Sequence, residues 1–215
     1  MSYADLVMLR EQTVDEIPNW VWVKEDTGAW DGPSMEWETT HKDAYLTHTI
    51  GRDVVVQAGG NCGLYPRLFA KYFRTVYTFE PDPLNFHCLV NNCQMDNIVK
   101  INAALGGTNE MVRVERGSMG NVGTHHTVKD QHGFIPQFKI DQLGLTACNL
   151  IQLDVESYEM HILRGAVETI EKYKPTISVE NSHGDIEALL KDRGYEFKVI
   201  VGSDSVYSYI QPESD

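Results

Sequence analysis

The chain has 215 residues, 42% of them apolar, which suits one domain of ordinary size with a real core and excludes a disordered or low-complexity protein. Its 18 basic against 31 acidic residues leave a formal charge of −13 with no basic run, so no nucleic-acid partner is expected. No stretch approaches the roughly 18 apolar residues of a membrane span, and no membrane association is expected.

Residues 1–12 lack the basic start and continuous apolar run of a secretory leader. Cys62, Cys88, Cys93 and Cys148 fit neither zinc-knuckle nor disulfide-framework spacing and read as reduced, mostly buried thiols, so a cytoplasmic protein is expected. Residues 1–50 hold all four tryptophans (Trp20, Trp22, Trp30 and Trp37) and few periodic runs. They are expected as an extension packed on the domain, with a lid, a sugar-stacking surface or a homodimer contact as competing readings.

From residue 51 to 215, short β-branched runs alternate with helical patterns, the signature of an α/β domain with a mostly parallel sheet. The apolar run 53–57 suits a strand buried on both faces and enters the glycine loop 58–63. A helix follows, with Leu64, Leu68, Phe69 and Tyr72 at helical spacing. Residues 76–79 form a second strand ending at Glu80-Pro81-Asp82-Pro83, and Pro83 opens a helix predicted to bury Phe86, Leu89, Val90 and Cys93. A third strand runs to about Asn102, a fourth covers 150–153, a helix 161–173, and a fifth strand 176–179. A helix at 186–191 closes at Gly194, and strands near 195–201 and 206–210 form an antiparallel hairpin at the sheet edge.

A strand that runs into Gly59, Gly60 and Gly63 and then a helix places backbone N–H groups at the sheet edge where open α/β sheets bind ligands. Such glycines are also common in purely structural turns. Glu80 ends the second strand about 20 residues beyond the first of them, where an acid accepts hydrogen bonds from ribose hydroxyls. Together they point to a nucleoside-bearing cofactor. The loop lacks the G-x-G-x-x-G spacing that cradles a pyrophosphate, and no Tyr-x-x-x-Lys pattern is present, which favours S-adenosylmethionine over a nicotinamide.

The segments Val-Gln-Ala-Gly-Gly-Asn-Cys-Gly at 56–63, Val-Tyr-Thr-Phe-Glu-Pro at 76–81, Ile-Asn-Ala-Ala-Leu-Gly at 101–106, Leu-Asp-Val-Glu-Ser-Tyr-Glu at 153–159 with Leu-Arg-Gly-Ala at 163–166, and Lys-Pro-Thr-Ile-Ser-Val-Glu at 174–180 resemble, in order, the FkbM family of methyltransferases. The resemblance covers about residues 52–200. It implies a Rossmann-like class I fold with a mostly parallel seven-stranded sheet, S-adenosylmethionine as donor, and O-methylation of a sugar-like or small-molecule hydroxyl. Carried over by position, Gly59, Gly60, Asn61 and Gly63 would hold the methionine part, Glu80 with Pro81 the ribose, and Asn102, Ala103 and Ala104 the adenine edge. Asp154 would lie by the methionine end and the acceptor. The family usually has an acid where Gln57 stands, so a contact from Gln57 to the donor's ammonium would lose a charge. It usually has glycine where Ser157 stands, and a larger residue there could reshape the acceptor pocket or weaken activity.

Methyl transfer to a hydroxyl needs alignment and a proton acceptor. The candidates are Asp154, Glu156 and Glu159 after the fourth strand, Glu180 at the end of the fifth, and His183 beyond it. Glu156 and Glu159 have the alternative of charging a helix N-terminus, and His183 that of a surface turn. His125, His126 and His132 lie in a polar, glycine-bearing segment whose spacing fits no standard metal motif, and no metal is assigned. The competing functions are a non-catalytic S-adenosylmethionine-binding protein and, more remotely, a nicotinamide-dependent oxidoreductase.

Overall fold

A computed structural model describes residues 3–11, 19–27, 35–118, 120–130, 132–180 and 184–211. The chain opens with a short helix α1 (Tyr3–Leu6) and an antiparallel hairpin of β1 (Val7–Glu11) and β2 (Asn19–Val23), followed by α2 (Met35–His48). The alternation then begins: β3 (Val54–Ala58), α3 (Leu64–Ala70), β4 (Thr75–Phe79), α4 (Pro83–Asn92) and β5 (Ile98–Ile101). Four short strands intervene, β6 (Ala104–Leu105), β7 (Glu110–Glu115), β8 (His126–Lys129) and β9 (Ile135–Phe138). The chain resumes with β10 (Leu150–Leu153), α5 (Glu159–Arg164), α6 (Val167–Tyr173), β11 (Thr176–Glu180), α7 (Gly184–Lys191), β12 (Tyr195–Val201) and β13 (Asp204–Tyr209).

The main sheet has seven strands in the order β12-β13-β11-β10-β3-β4-β5, and only β13 runs against the others. Every residue of β3 and β10 is buried, as expected of central parallel strands covered on both faces. One buried row crosses this sheet at matched register and is polar: Thr78, Gln57, Gln152 and Ser178, each fully buried. Gln57 accepts from the Thr78 hydroxyl on Oε1 and donates from Nε2 to the Ala58 carbonyl, 3.1 Å away. Burial without a partner costs about 1–3 kcal/mol per group; Gln57 avoids that cost within the strands, whereas Gln152 and Ser178 donate to Asp204.

The leading hairpin is stitched to the domain by one side chain. Asn92, at the end of α4, accepts from Val21 N (2.8 Å) and donates to Val21 O (2.9 Å) and Cys62 O (2.7 Å). Beside it Trp20 is 1% exposed under the Arg67 guanidinium, 5.2 Å from the ring centre, and Arg67 donates to Asn92 O at 2.7 Å. Trp20 and Trp22 thereby join Leu84, Cys88 and Cys62 in a satellite core. Trp37 instead stacks on His41 and meets Tyr65 edge-on, and Trp30 lies outside the described residues. All four cysteines are buried free thiols, and among the described residues no helix is long and apolar enough to cross a membrane.

Four local expectations are corrected. The face of α4 is rotated: Leu84, Cys88 and Leu89 are buried while Val90 is 37% exposed, because β2 claims the side bearing Leu84 and Cys88. The helix expected over 161–173 breaks into α5 and α6 at Gly165, where a Cβ would sit 2.1 Å from the Gly106 carbonyl. The polar segment between strands is a second sheet, β6-β9-β7-β8, with a small core of Ala104, Val112 and Ile135. The last hairpin turns at Gly202 and Ser203, so β13 starts at Asp204 rather than 206.

Replacing Asn92 by Ala strips the hairpin of its clamp and leaves buried backbone groups unpaired. The expected loss is about 2–3 kcal/mol, seen as a melting temperature lower by about 4–12 °C; an unchanged melting curve would show that the hairpin is held by packing alone.

Candidate functional site

The C-terminal ends of β3, β4, β10 and β11 converge on a cavity of about 330 Å³. That lies within the roughly 300–1,000 Å³ of small-molecule sites. Its walls include Gly59, Gly60, Asn61, Glu80, Pro81, Asp154, Glu156 and Glu180, so eight of the residues singled out in the sequence meet in one place.

Glycine is required at the floor. Gly59 has φ +84°, and a Cβ there would lie 1.7 Å from the Asp154 carbonyl oxygen. A Cβ on Gly60 would meet Leu89 Cδ1 at 2.4 Å and Thr78 Oγ1 at 2.7 Å. Gly63, φ +106°, serves differently: it starts α3 and packs on Cys93 of α4, away from the cavity.

Glu80 is 5% exposed, and its two oxygens accept from Asn61 N (2.6 Å) and Asp82 N (2.7 Å). Burial pushes its carboxyl up to about 8, against the pull of those two N–H groups. Each oxygen keeps a second lone-pair position for a ligand hydroxyl. Asn102 braces this corner by donating to Glu80 O (2.8 Å) and Pro81 O (3.2 Å). Ala103 and Ala104 line a separate crevice of about 20 Å³ with Pro81, Thr127 and Tyr158.

Asp154 and Glu180 stand at neighbouring strand ends. Burial raises the Asp154 carboxyl well above its ordinary value, and the nearby Glu180 and Asp204 carboxyls add to this. Glu180 accepts from Ser203 Oγ at 3.1 Å. Glu156 is half-buried and raised by burial and by Glu180 and Glu159. Glu159 turns away from the cavity: its Oε1 accepts from Ser157 N (3.3 Å) and Val155 N (3.4 Å), which makes it the helix-terminus acid of α5. Gln57 likewise lies beneath the floor in the polar row of the sheet, so its neutral amide takes no charge from the cavity. Ser157 is exposed and borders no part of the cavity; its φ of +73°, following φ +54° at Glu156, marks a left-handed turn that favours glycine. His183 lies outside the described residues.

Several lining residues were not assigned to the site from sequence, Trp22 entering only through the lid or sugar-stacking reading of its whole segment. Trp22, Val122, His125 and His126 arrive from the leading hairpin and the second sheet, whose placement is a tertiary matter. His125 is held by Asp82, Nδ1 to Oδ2 3.0 Å. Tyr65 and Asn85 come from α3 and α4, and Ser203 from the β12–β13 turn. Asp82 could have been found: Asp-Pro after a strand is an N-cap signature, and its carboxylate does accept from Leu84 N and Asn85 N. Among the described residues no group of three or more His, Cys, Asp or Glu is arranged to hold a metal ion.

Residues 53–197 match the family model described as the methyltransferase FkbM domain. The chain belongs to the FkbM methyltransferase family. This family of S-adenosylmethionine-dependent enzymes displaces the nicotinamide reading of the glycine loop. A methyltransferase FkbM structure from Methylobacillus flagellatus has 17% identity and a TM-score of 0.52, covering 74% of this chain and 44% of its own. The FkbM chain described here thus spans less than half the length of that protein, and the likeness establishes the class I methyltransferase fold. A precorrin-8w decarboxylase from Methanobacterium thermoautotrophicum (15% identity, 83% and 92% covered, TM-score 0.49) and a precorrin-6y C5,15-methyltransferase from Geobacter metallireducens (11%, 86% and 91%, 0.49) are also similar. A search of the curated proteins returns no match.

The FkbM cavity fits S-adenosylmethionine on its own terms. It has the glycine floor, a strand-end acid, and two buried acceptors without a donor, Asn61 Oδ1 and Asn85 Oδ1. Ribose hydroxyls and amino groups are the donors such atoms need.

Relieving the strained turn tests its geometry. A left-handed non-glycine residue costs roughly 1–2 kcal/mol, against roughly 0.5–1 kcal/mol for glycine's extra chain entropy. Ser157→Gly should therefore gain about 0.5–1 kcal/mol in denaturant unfolding; a loss instead would mean that the turn at 156–157 is not left-handed.

Proposed function

We propose that this chain moves a methyl group from S-adenosylmethionine to a hydroxyl oxygen of a small or sugar-like acceptor. The observation that carries this reading is the Asp154–Glu180 pair, set at the cavity wall beside the glycine floor. The donor, when bound, supplies an activated sulfonium methyl, and the protein's part is orientation and proton management.

Burial and the Glu180 carboxyl beside it raise the proton affinity of Asp154. As a carboxylate, Asp154 accepts the acceptor's proton while that oxygen becomes the nucleophile. Gly59 and Gly60 admit a ligand close to the backbone, and Glu80 offers its free lone pairs to vicinal hydroxyls. We infer a neutral or cationic acceptor. Among the described side chains no Lys or Arg borders the cavity. An acceptor carrying phosphate would face Asp154, Glu156 and Glu180 without a Lys or Arg among those side chains to offset them.

Calorimetric titration of S-adenosylmethionine and S-adenosylhomocysteine into the protein should show binding that Glu80→Ala weakens by about 10–100-fold, the worth of one or two hydrogen bonds to a charged group. Failure of both ligands to bind the wild type would overturn the proposal. Because burial raises Glu80 to about 8, the unbound carboxyl holds a proton at neutral pH, while hydroxyl donors favour its ionised form. Affinity should therefore rise with pH until about 8, with proton release visible as a buffer-dependent enthalpy. With an acceptor in hand, Asp154→Asn should lower turnover by about 10²–10⁴-fold and leave S-adenosylhomocysteine binding in place; undiminished turnover would remove Asp154 from proton transfer.

A further inference from the structure

Below the Asp154–Glu180 pair lies a third carboxyl that the proposed reaction does not use. Asp204 opens β13 opposite Glu180 and is 1% exposed. One of its oxygens is crowded: Oδ2 accepts from the Tyr45 hydroxyl, from Ser178 Oγ at 3.2 Å, and from Gln152 Nε2 and Tyr65 Oη at 3.4 Å each. The other oxygen, Oδ1, is buried with no donor. So is Gln152 Oε1, the other end of the amide already facing Asp204.

Two stranded acceptors on groups that already share one hydrogen bond are short of a single proton. A carboxylic acid and a primary amide close a ring of two bonds, N–H to one carboxyl oxygen and O–H from the other to the amide oxygen. A proton on Asp204 Oδ1 directed at Gln152 Oε1 would satisfy both orphans at once.

We propose that Asp204 is held as a neutral carboxylic acid, ring-paired with the Gln152 amide, and is a positioning residue that fixes the Tyr65 hydroxyl at the cavity wall beside Asp154 and Glu180. The groups facing it pull in both directions: hydroxyl and amide donors favour the carboxylate, burial and the neighbouring carboxyls the acid. Tyr45 from α2 and Tyr65 from α3 donate to it, and the carboxyls of Asp154 and Glu180 crowd it from β10 and β11. His41, whose ring lies tilted 6.3 Å from that of Tyr45, sits against Gly202 in the adjoining turn. Burial, the largest effect, raises the Asp204 carboxyl against the hydrogen bonds from Tyr45, Gln152 and Ser178, and no Lys, Arg or His is among the groups that act on it. With the proton on Asp204, one fewer negative charge presses on Asp154 at the cavity wall. Only the role given to Tyr65 rests on the proposed methyl transfer. The protonation does not.

Asn is the uncharged isostere of a protonated Asp, so Asp204→Asn should fold and match the wild-type melting temperature at about pH 4 or below, where the acid is largely neutral in both states. An acid neutral in the folded state and ionised in the unfolded state loses stability as pH climbs above its ordinary value. The variant should lack that decline and be the more stable protein at pH 7 and above. The infrared difference between wild type and Asp204→Asn, recorded at pH 7 without cofactor, should contain a protonated-carboxyl stretch. A carboxylate stretch in its place, or an Asp204→Asn protein that melts well below the wild type at pH 7, overturns the proposal. Tyr65→Phe should shift the same carboxyl band by removing one donor; an unmoved band ends the positioning role. S-adenosylhomocysteine binding, measured separately, tells a failure of the cofactor reading from a failure of this one.

Discussion

The site depends on one contact between two backbones. Where β3 leaves the sheet, Gly59 passes so close to the Asp154 carbonyl at the end of β10 that no side chain fits between them. The seam fixes three things together. It turns the chain into the Gly59–Asn61 loop, sets Glu80 opposite Asn61 N, and holds Asp154 at the rim beside Glu180. Because adjacent parallel strands are already locked in register, a shift at this point would carry the whole rim with it.

Charge is managed by depth. Nearest the solvent, Glu156 is half-buried; at the cavity wall Asp154 and Glu180 lie in contact; beneath them Asp204 is shut inside with Tyr45 and Ser178. Like charges this close cannot all ionise, and the cheapest place to keep a proton is the site farthest from water. The buried row of Thr78, Gln57, Gln152 and Ser178 leads to that site and supplies the amide that faces it.

Much of this was legible in the residues. The apolar runs at 53–57, 76–79, 150–153 and 176–179 announced the parallel core, and glycine loop, strand-end acid and family resemblance agreed on the cavity. What was missed lacked a local signal. The strands from 104 to 138 are short and polar, with exposed residues alternating irregularly, so their pairing is decided by partners rather than by periodicity. The α4 face was misjudged because a helix covered on two sides buries residues that a single amphipathic stripe does not include. Gln57 stands in a strand that ends at the cavity and Glu159 starts the helix that follows it, while their side chains are bonded elsewhere, a distinction that sequence position cannot make.

The second sheet carries a consequence for motion. Its core is only Ala104, Val112 and Ile135 with Val114 against them, while the main sheet is buried on both faces. A layer with so little apolar area opens at lower free energy than the framework under it. Its amides on β7 and β8 should exchange with solvent long before those of β3 and β10. Through His126 and Thr127, that loosely held layer also forms part of the cavity wall. One wall of the cavity thus belongs to a lightly packed layer, while the glycine floor and the acid pair belong to the firmly packed one.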